Sequence, residues 1–308
     1  MLQANSVFII TFALITMGFL IKKFNYISEV EGKVISKFLM HTTFPALMII
    51  STARVKLQYN LMLIPLLCLL LGAFSVGVAW LAFKNKPLKL RGILLMASGG
   101  LNVGLFGFPL IEGIWGTQAI LYAVMFDIGN TLMIFGVVYP IGNYFANKEK
   151  EGISFRKIVI RVFSLPPVTG MMIGLFLNIA HVEVPQIAFD FLEVLAKANK
   201  ALVLLLMGIY LSFELNKAQL KEISKVLMIR YFFGLLFCFA LYFYLEPSLM
   251  RSVLMILVIL PLGMTILPFS DEFEFDTRVA GTLINLSLVL SFVIIWILVL
   301  GLDSMSFS

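Results

Sequence analysis

The segment ASGGLNVGLFGFPL, residues 97–110, sets Asn102 among Gly99, Gly100, Gly104, Gly107 and Pro109 in an uncharged run from Gly92 to Ile111. An amide offers two donors and acceptor lone pairs, which suits a carboxylate or a backbone group released from a helix. Pro109 removes a backbone donor and clashes with the preceding turn, while glycines let the backbone leave helical dihedrals. A second apolar run is interrupted in the same way by Pro261, Gly263 and Pro268, with the hydroxyl of Thr265 between them. The shift that lays Asn102 on Pro261 also lays Gly104 on Gly263 and Pro109 on Pro268.

Asp127 is read as the only acidic residue deep within an apolar run, with Asn130 three positions later on the same helical face. A charge at the centre of a bilayer costs at least ~2.5 kcal/mol, so such a group is a functional hypothesis by default. Desolvated without a partner, it tends to take up a proton or a cation. The alternative is a packing hydrogen bond with Asn130 and a polar group such as Asn285 or Ser287. Positive potential for an anion could come from Lys200, with Lys197 beside it, or from His41. Snorkelling to an interface is the competing role for the lysines. A bond to its own helix backbone is the competing role for the histidine.

The elements that must position these residues follow from composition. Hydrophobic residues make up 61% of the 308 positions and charged residues 13%, against roughly 25% charged in soluble domains. An integral membrane protein follows, and the long apolar runs choose helices over a barrel. Ten spans are expected, at about 7–21, 33–53, 61–83, 92–111, 117–145, 158–180, 187–213, 226–245, 252–269 and 279–300. With the N-terminus outside, all of the 23 basic residues except Arg54, Lys56, Lys197, Lys200 and Arg251 fall on the inward side. That count places Arg230 with the inward loops. By the positive-inside rule both termini then lie on the non-cytoplasmic face of the cell membrane. The net charge of +6 is explained by loops facing an anionic leaflet, without nucleic acid.

The charged stretch NKEKEGISFRK, residues 147–157, divides the chain into a repeat at 1–146 and a repeat at 158–308. Five spans per half force the second half to enter the membrane inverted, the plan of many secondary transporters. In such folds, interrupted helices at corresponding positions are the sequence pointer to a binding site, here the fourth span of each half. The fold expected is therefore all-α, with two inverted five-helix repeats and broken spans four and nine crossing mid-membrane.

Four segments in order, TTFPALMI, NVGLFGFPL, FDIGNTLMIF and LPPVTGMMIGLFLN, resemble the auxin efflux carrier family in its short bacterial form, over essentially the whole chain. The resemblance implies a fold of the bile acid:sodium symporter type. It implies a scaffold of spans one, two, six and seven and a transport group of spans three to five and eight to ten, moving as an elevator. It also implies carriage of organic anions such as auxin-like acids or malate. Two departures stand out. Ala201 occupies a position where the family usually carries a proline, the counterpart of Pro45, and span nine has no asparagine at the crossing.

The residues most expected at the substrate site are thus Asn102, Gly104, Pro109, Pro261, Thr265, Pro268, Lys200 and His41, with Asp127, Asn130 and Asn285 for ion coupling. A proton or sodium ion is the expected coupling species, no other cofactor or metal is expected, and a homodimer is left open. Cys68 and Cys238 read as small core residues, since neither has a ligand-spaced partner. An enzyme is disfavoured because HExxH, GxSxG and phosphate-loop motifs are absent. A channel or receptor without coupled transport is the remaining alternative. It is disfavoured by the charge alternation and by the lack of an arginine repeat.

Overall fold

The computed structural model describes residues 2–53, 59–146, 160, 164, 166–182, 184–211 and 219–305. The linker expected at 147–157 lies outside the described residues, as do Arg54, Lys56, Arg161 and Lys217 of the charge alternation. Among the described residues the chain is helical and forms no strand.

Among the described residues, five helices are long and apolar enough to cross a membrane: Glu29–Ala53, Leu61–Ala82, Thr117–Phe145, Leu220–Tyr244 and Thr277–Gly301. They correspond to expected spans two, three, five, eight and ten. Others are interrupted or charged for reasons written in the sequence. Span four is divided into Leu88–Gly99 and Phe108–Trp115, and span nine into Leu249–Leu257 and Ile266–Glu272. Span seven is a continuous helix, Gln186–Tyr210, but carries Asp190, Glu193, Lys197 and Lys200. A salt bridge of 3.0 Å joins Glu193 and Lys197 one turn apart along it.

The chain divides into two compact units. Unit 1 gathers Met1–Leu61, Gly104–Val124 and Ile160–Leu211. It contains α1 (Leu2–Lys23), α2 (Glu29–His41), α3 (Thr43–Ala53), α6 (Phe108–Trp115), α9 (Pro166–Ile179) and α10 (Gln186–Tyr210). Ser28 caps α2 reciprocally with Glu31: the Glu31 N–H donates to Ser28 Oγ at 3.3 Å and the Ser28 N–H to Glu31 Oε2 at 2.7 Å, satisfying two otherwise orphaned donors. Pro45 cannot donate to the preceding turn, so the helix breaks at Thr42, whose hydroxyl bonds Phe38 O at 2.8 Å. In lipid, helices associate by close packing rather than by leaving water. Accordingly, Gly18 of α1 and Gly208 of α10 meet backbone to backbone. A Cβ at Gly18 would strike the Leu205 carbonyl, and one at Gly208 would strike that of Ile15.

Unit 2 gathers Met62–Val103, Met125–Val159 and Ser212–Ser308. It contains α4 (Ile64–Ala82), α5 (Leu88–Gly99), α7 (Ile120–Met133) from Met125 onward, α8 (Tyr139–Phe145), α11 (Leu220–Tyr244), α12 (Leu249–Leu257), α13 (Ile266–Glu272) and α14 (Thr277–Met305). A π-helical stretch, Ile134–Val138, joins α7 to α8. Large apolar side chains on α11, including Phe232, Leu236, Phe239 and Phe243, are exposed, as expected of a lipid-facing stripe. Toward the start of the same helix, Glu222 pairs with Lys86 at 2.6 Å.

Candidate substrate site

Two helices of unit 2 stop where the sequence withdraws helical support, and the stopped ends pair. Helix α5 ends at Gly99, and Gly100 adopts extended dihedrals (φ −91°, ψ 151°). Helix α12 ends at Leu257, and regular winding resumes only at Ile266. Pro261 has no N–H to give and biases Leu260 away from the helical region. The two irregular segments run antiparallel with Leu101 opposite Leu262. Asn102 N–H donates to Pro261 O at 2.9 Å, and Gly263 N–H donates to Gly100 O at 3.0 Å. Gly263 suits this register because a Cβ there would press on the Leu101 carbonyl at 3.2 Å.

Backbone groups buried off-helix need partners, and neighbouring helices send them. From α7, Asn130 clasps one residue with both ends of its amide. Leu101 N–H donates to Asn130 Oδ1 at 2.9 Å, and Asn130 Nδ2 donates to Leu101 O at 3.0 Å. The same nitrogen donates its second hydrogen to Asp127 Oδ1 at 3.0 Å. From α14, Ser287 Oγ accepts from Leu262 N–H at 3.0 Å, and Ser291 Oγ donates to Ile259 O at 2.7 Å. From α11, Tyr231 O–H donates to Ser287 O at 2.6 Å with its oxygen 2.7 Å from Ser291 Oγ, and Arg230 Nη2 donates to Val258 O at 3.1 Å. Most of the peptide groups freed by the two breaks are therefore satisfied by protein. What stands at the pairing besides backbone is the Asn102 side chain, in a residue only 5% exposed.

The structure brings Asn102, Pro261, Asn130 and Asp127 together in unit 2. Thr265 follows in the same unit, its Oγ1 buried without a hydrogen-bond partner among the described residues. Pro268 is exposed on α13, and Asn285 is buried on α14. Gly104, Pro109, Lys200 and His41 belong to unit 1. Gly104 lies in the π-helical stretch Val103–Gly107, and Pro109 opens α6. Lys200 is half-buried on α10. His41 is exposed, its Nδ1 donating to Lys37 O at 2.8 Å in its own helix.

Two readings of charge need correction. Arg230, counted with the inward loops, is 2% exposed inside α11, where the carbonyl of Val258 at the end of α12 needs a donor. Asp127 is not alone among acidic residues within helical spans. Glu112 lies in α6 within electrostatic reach of Lys200, because the interrupted fourth span runs past Ile111 to Trp115. Ser287, Ser291, Tyr231 and Asn199 also escaped singling out as site residues. Asn199 is fully buried and accepts from Thr43 Oγ1 at 2.7 Å. The i, i+4 spacing of Ser287 and Ser291 was the available signal for the first two.

A polytopic helical membrane protein with two helix interruptions joined in its interior is the class these features define. The chain belongs to the membrane transport protein family, whose profile matches residues 5–299. This is the auxin efflux carrier family that the four segments resemble. Its relatives include an uncharacterized transporter of Methanothermobacter thermautotrophicus, 24% identical across 91% of this chain and 92% of that one. Another is an uncharacterized transporter of Methanocaldococcus jannaschii, 22% identical across 95% of this chain and 98% of that one.

Proposed function

We propose that this protein is a secondary active transporter of small organic anions, carboxylates such as malate or auxin-like acids, coupled to a proton or sodium ion. The observation that carries the reading is the paired interruption itself. Backbone polar groups are gathered off-helix around Leu101 and Leu262 with a buried amide, Asn102, at the pairing. Such places in membrane transporters face the cargo, and an amide can donate to a carboxylate. Asp127 is the coupling group. Its carboxylate shares Asn130 with the Leu101 backbone, so a proton or cation on it is felt one hydrogen bond away from the pairing. Ten spans in two inverted repeats complete the proposal, with both termini outside. Spans three to five and eight to ten carry the anion past spans one, two, six and seven in an elevator movement.

The test is uptake of radiolabelled dicarboxylates by purified protein in liposomes. Asn102→Ala is expected to remain folded by gel filtration and lose at least roughly tenfold in uptake, the scale of one lost hydrogen bond to a charged ligand. Wild-type uptake retained in this variant would take Asn102 out of the site.

A further inference from the structure

A buried guanidinium is the least explained charge in unit 2. Arg230 is 2% exposed, and its head group stays protonated. Its Nη2 donates to Val258 O, while Nη1 is buried with no hydrogen-bond partner among the described residues. No acidic side chain of the described residues forms a salt bridge with it. Lys86 pairs with Glu222 and Lys197 with Glu193, and Lys200 has Glu112 within electrostatic reach; Arg91 and Arg251 also meet carbonyls, but neither is as deeply buried as Arg230. A buried cation left with one carbonyl is costly unless something compensates it.

Position says what could. Val258 is three residues before Pro261, whose carbonyl receives the Asn102 N–H, so the guanidinium stands at the start of the interrupted segment. On its own helix, Gly234 lets the Val258 carbonyl come close enough for Nη2 to reach it, since a Cβ there would lie 2.7 Å from that oxygen and 3.3 Å from Nη1. The Cys68 thiol of α4 lies within electrostatic reach of both Arg230 and Asp127.

We infer that Arg230 is the internal counter-charge of the transported anion, its free Nη1 taking a carboxylate oxygen of the cargo while Nη2 holds Val258. The inference rests on the organic-anion reading and assigns the anion's charge recognition to Arg230 rather than to Lys200. A planar fork with one nitrogen already fixed on the backbone is pre-organised for carboxylate.

The experiment measures thermal stabilisation of the full chain in detergent by succinate, with succinamide as the uncharged isostere. Radiolabelled succinate uptake into liposomes is run in parallel. Wild type is expected to be stabilised by succinate and not by succinamide. Arg230→Gln is expected to weaken apparent succinate affinity by roughly thirtyfold or more, the scale of losing one partner of a buried charge pair. Arg230→Lys, which keeps the charge without the fork, should recover part of it. If Arg230→Gln fails to fold, Arg230→Lys serves instead: it keeps the charge but lacks a planar fork to hold Val258 O and a carboxylate together, and is expected to raise the KM for succinate. Equal succinate affinity in wild type and in the Arg230 variants would overturn the inference while leaving anion transport standing. Absence of both stabilisation and uptake by carboxylates in wild type would overturn the anion reading and this inference with it.

Discussion

The two interrupted segments of unit 2 face the same problem and solve it differently. At Gly100–Asn102 a single side chain, Asn130, meets both the N–H and the carbonyl of Leu101. At Val258–Gly263 the work is spread over Arg230, Ser287 and Ser291, each meeting one backbone group, with Tyr231 bracing the serines. The two breaks are therefore vulnerable in different ways. A concentrated brace fails all at once, and it passes a change on its own partner straight to the backbone. A distributed brace fails by degrees. The concentrated brace is also the one joined to a carboxylate, since Asn130 Nδ2 reaches Asp127.

The largest expected effect breaks the concentrated side. Asn130→Ala strands two buried backbone groups at Leu101 together. With each unsatisfied group costing about 1–3 kcal/mol, the variant should lose about 2–6 kcal/mol and its melting temperature in detergent should fall accordingly. Asn130→Asp sharpens the point. It keeps an acceptor for Leu101 N–H, loses the donor for Leu101 O, and places a second carboxylate beside Asp127, so it should unfold below wild type as well. An unchanged melting temperature in Asn130→Ala would mean that Leu101 is braced from elsewhere.

On the distributed side, Ser287→Ala removes the acceptor of Leu262 N–H alone. Ser291 and Arg230 continue to hold Ile259 O and Val258 O. The expected loss is about 1–2 kcal/mol, smaller than for Asn130→Ala in the same thermal measurement. A loss equal to or larger than that of Asn130→Ala would reverse the contrast.

How much of this was legible in the sequence depended on whether one residue carried the signal. Proline and glycine announce a break locally, so the interruptions near Asn102 and Pro261 could be read from composition alone. Asn130 and Asp127 share a helical face by spacing, and their hydrogen bond follows from that. The pairing of Leu101 with Leu262 was beyond local reading, because it joins residues far apart in the chain through backbone atoms that every residue possesses. Arg230 was misread for an instructive reason. Charge alternation treats every basic residue as loop-bound, yet a guanidinium can be retained inside a helix when an unwound neighbour offers it a carbonyl. Ser287 and Ser291 look like ordinary small helix residues until the segment they support is known.

Asp127→Asn should have the smallest effect on stability and a specific one on transport. An asparagine oxygen can still accept the second hydrogen of Asn130 Nδ2, so the clasp on Leu101 survives and the melting temperature should shift by no more than about 1 kcal/mol in equivalent stability. What the substitution removes is the capacity to exchange a proton or bind a cation at the far end of that bridge. Liposomes loaded with a pH or sodium gradient should therefore concentrate dicarboxylate with wild type. With Asp127→Asn they should only equilibrate it. Concentration to the same ratio by the variant would make the carboxylate a prop for Asn130, and the coupling ion would have to be sought at another group.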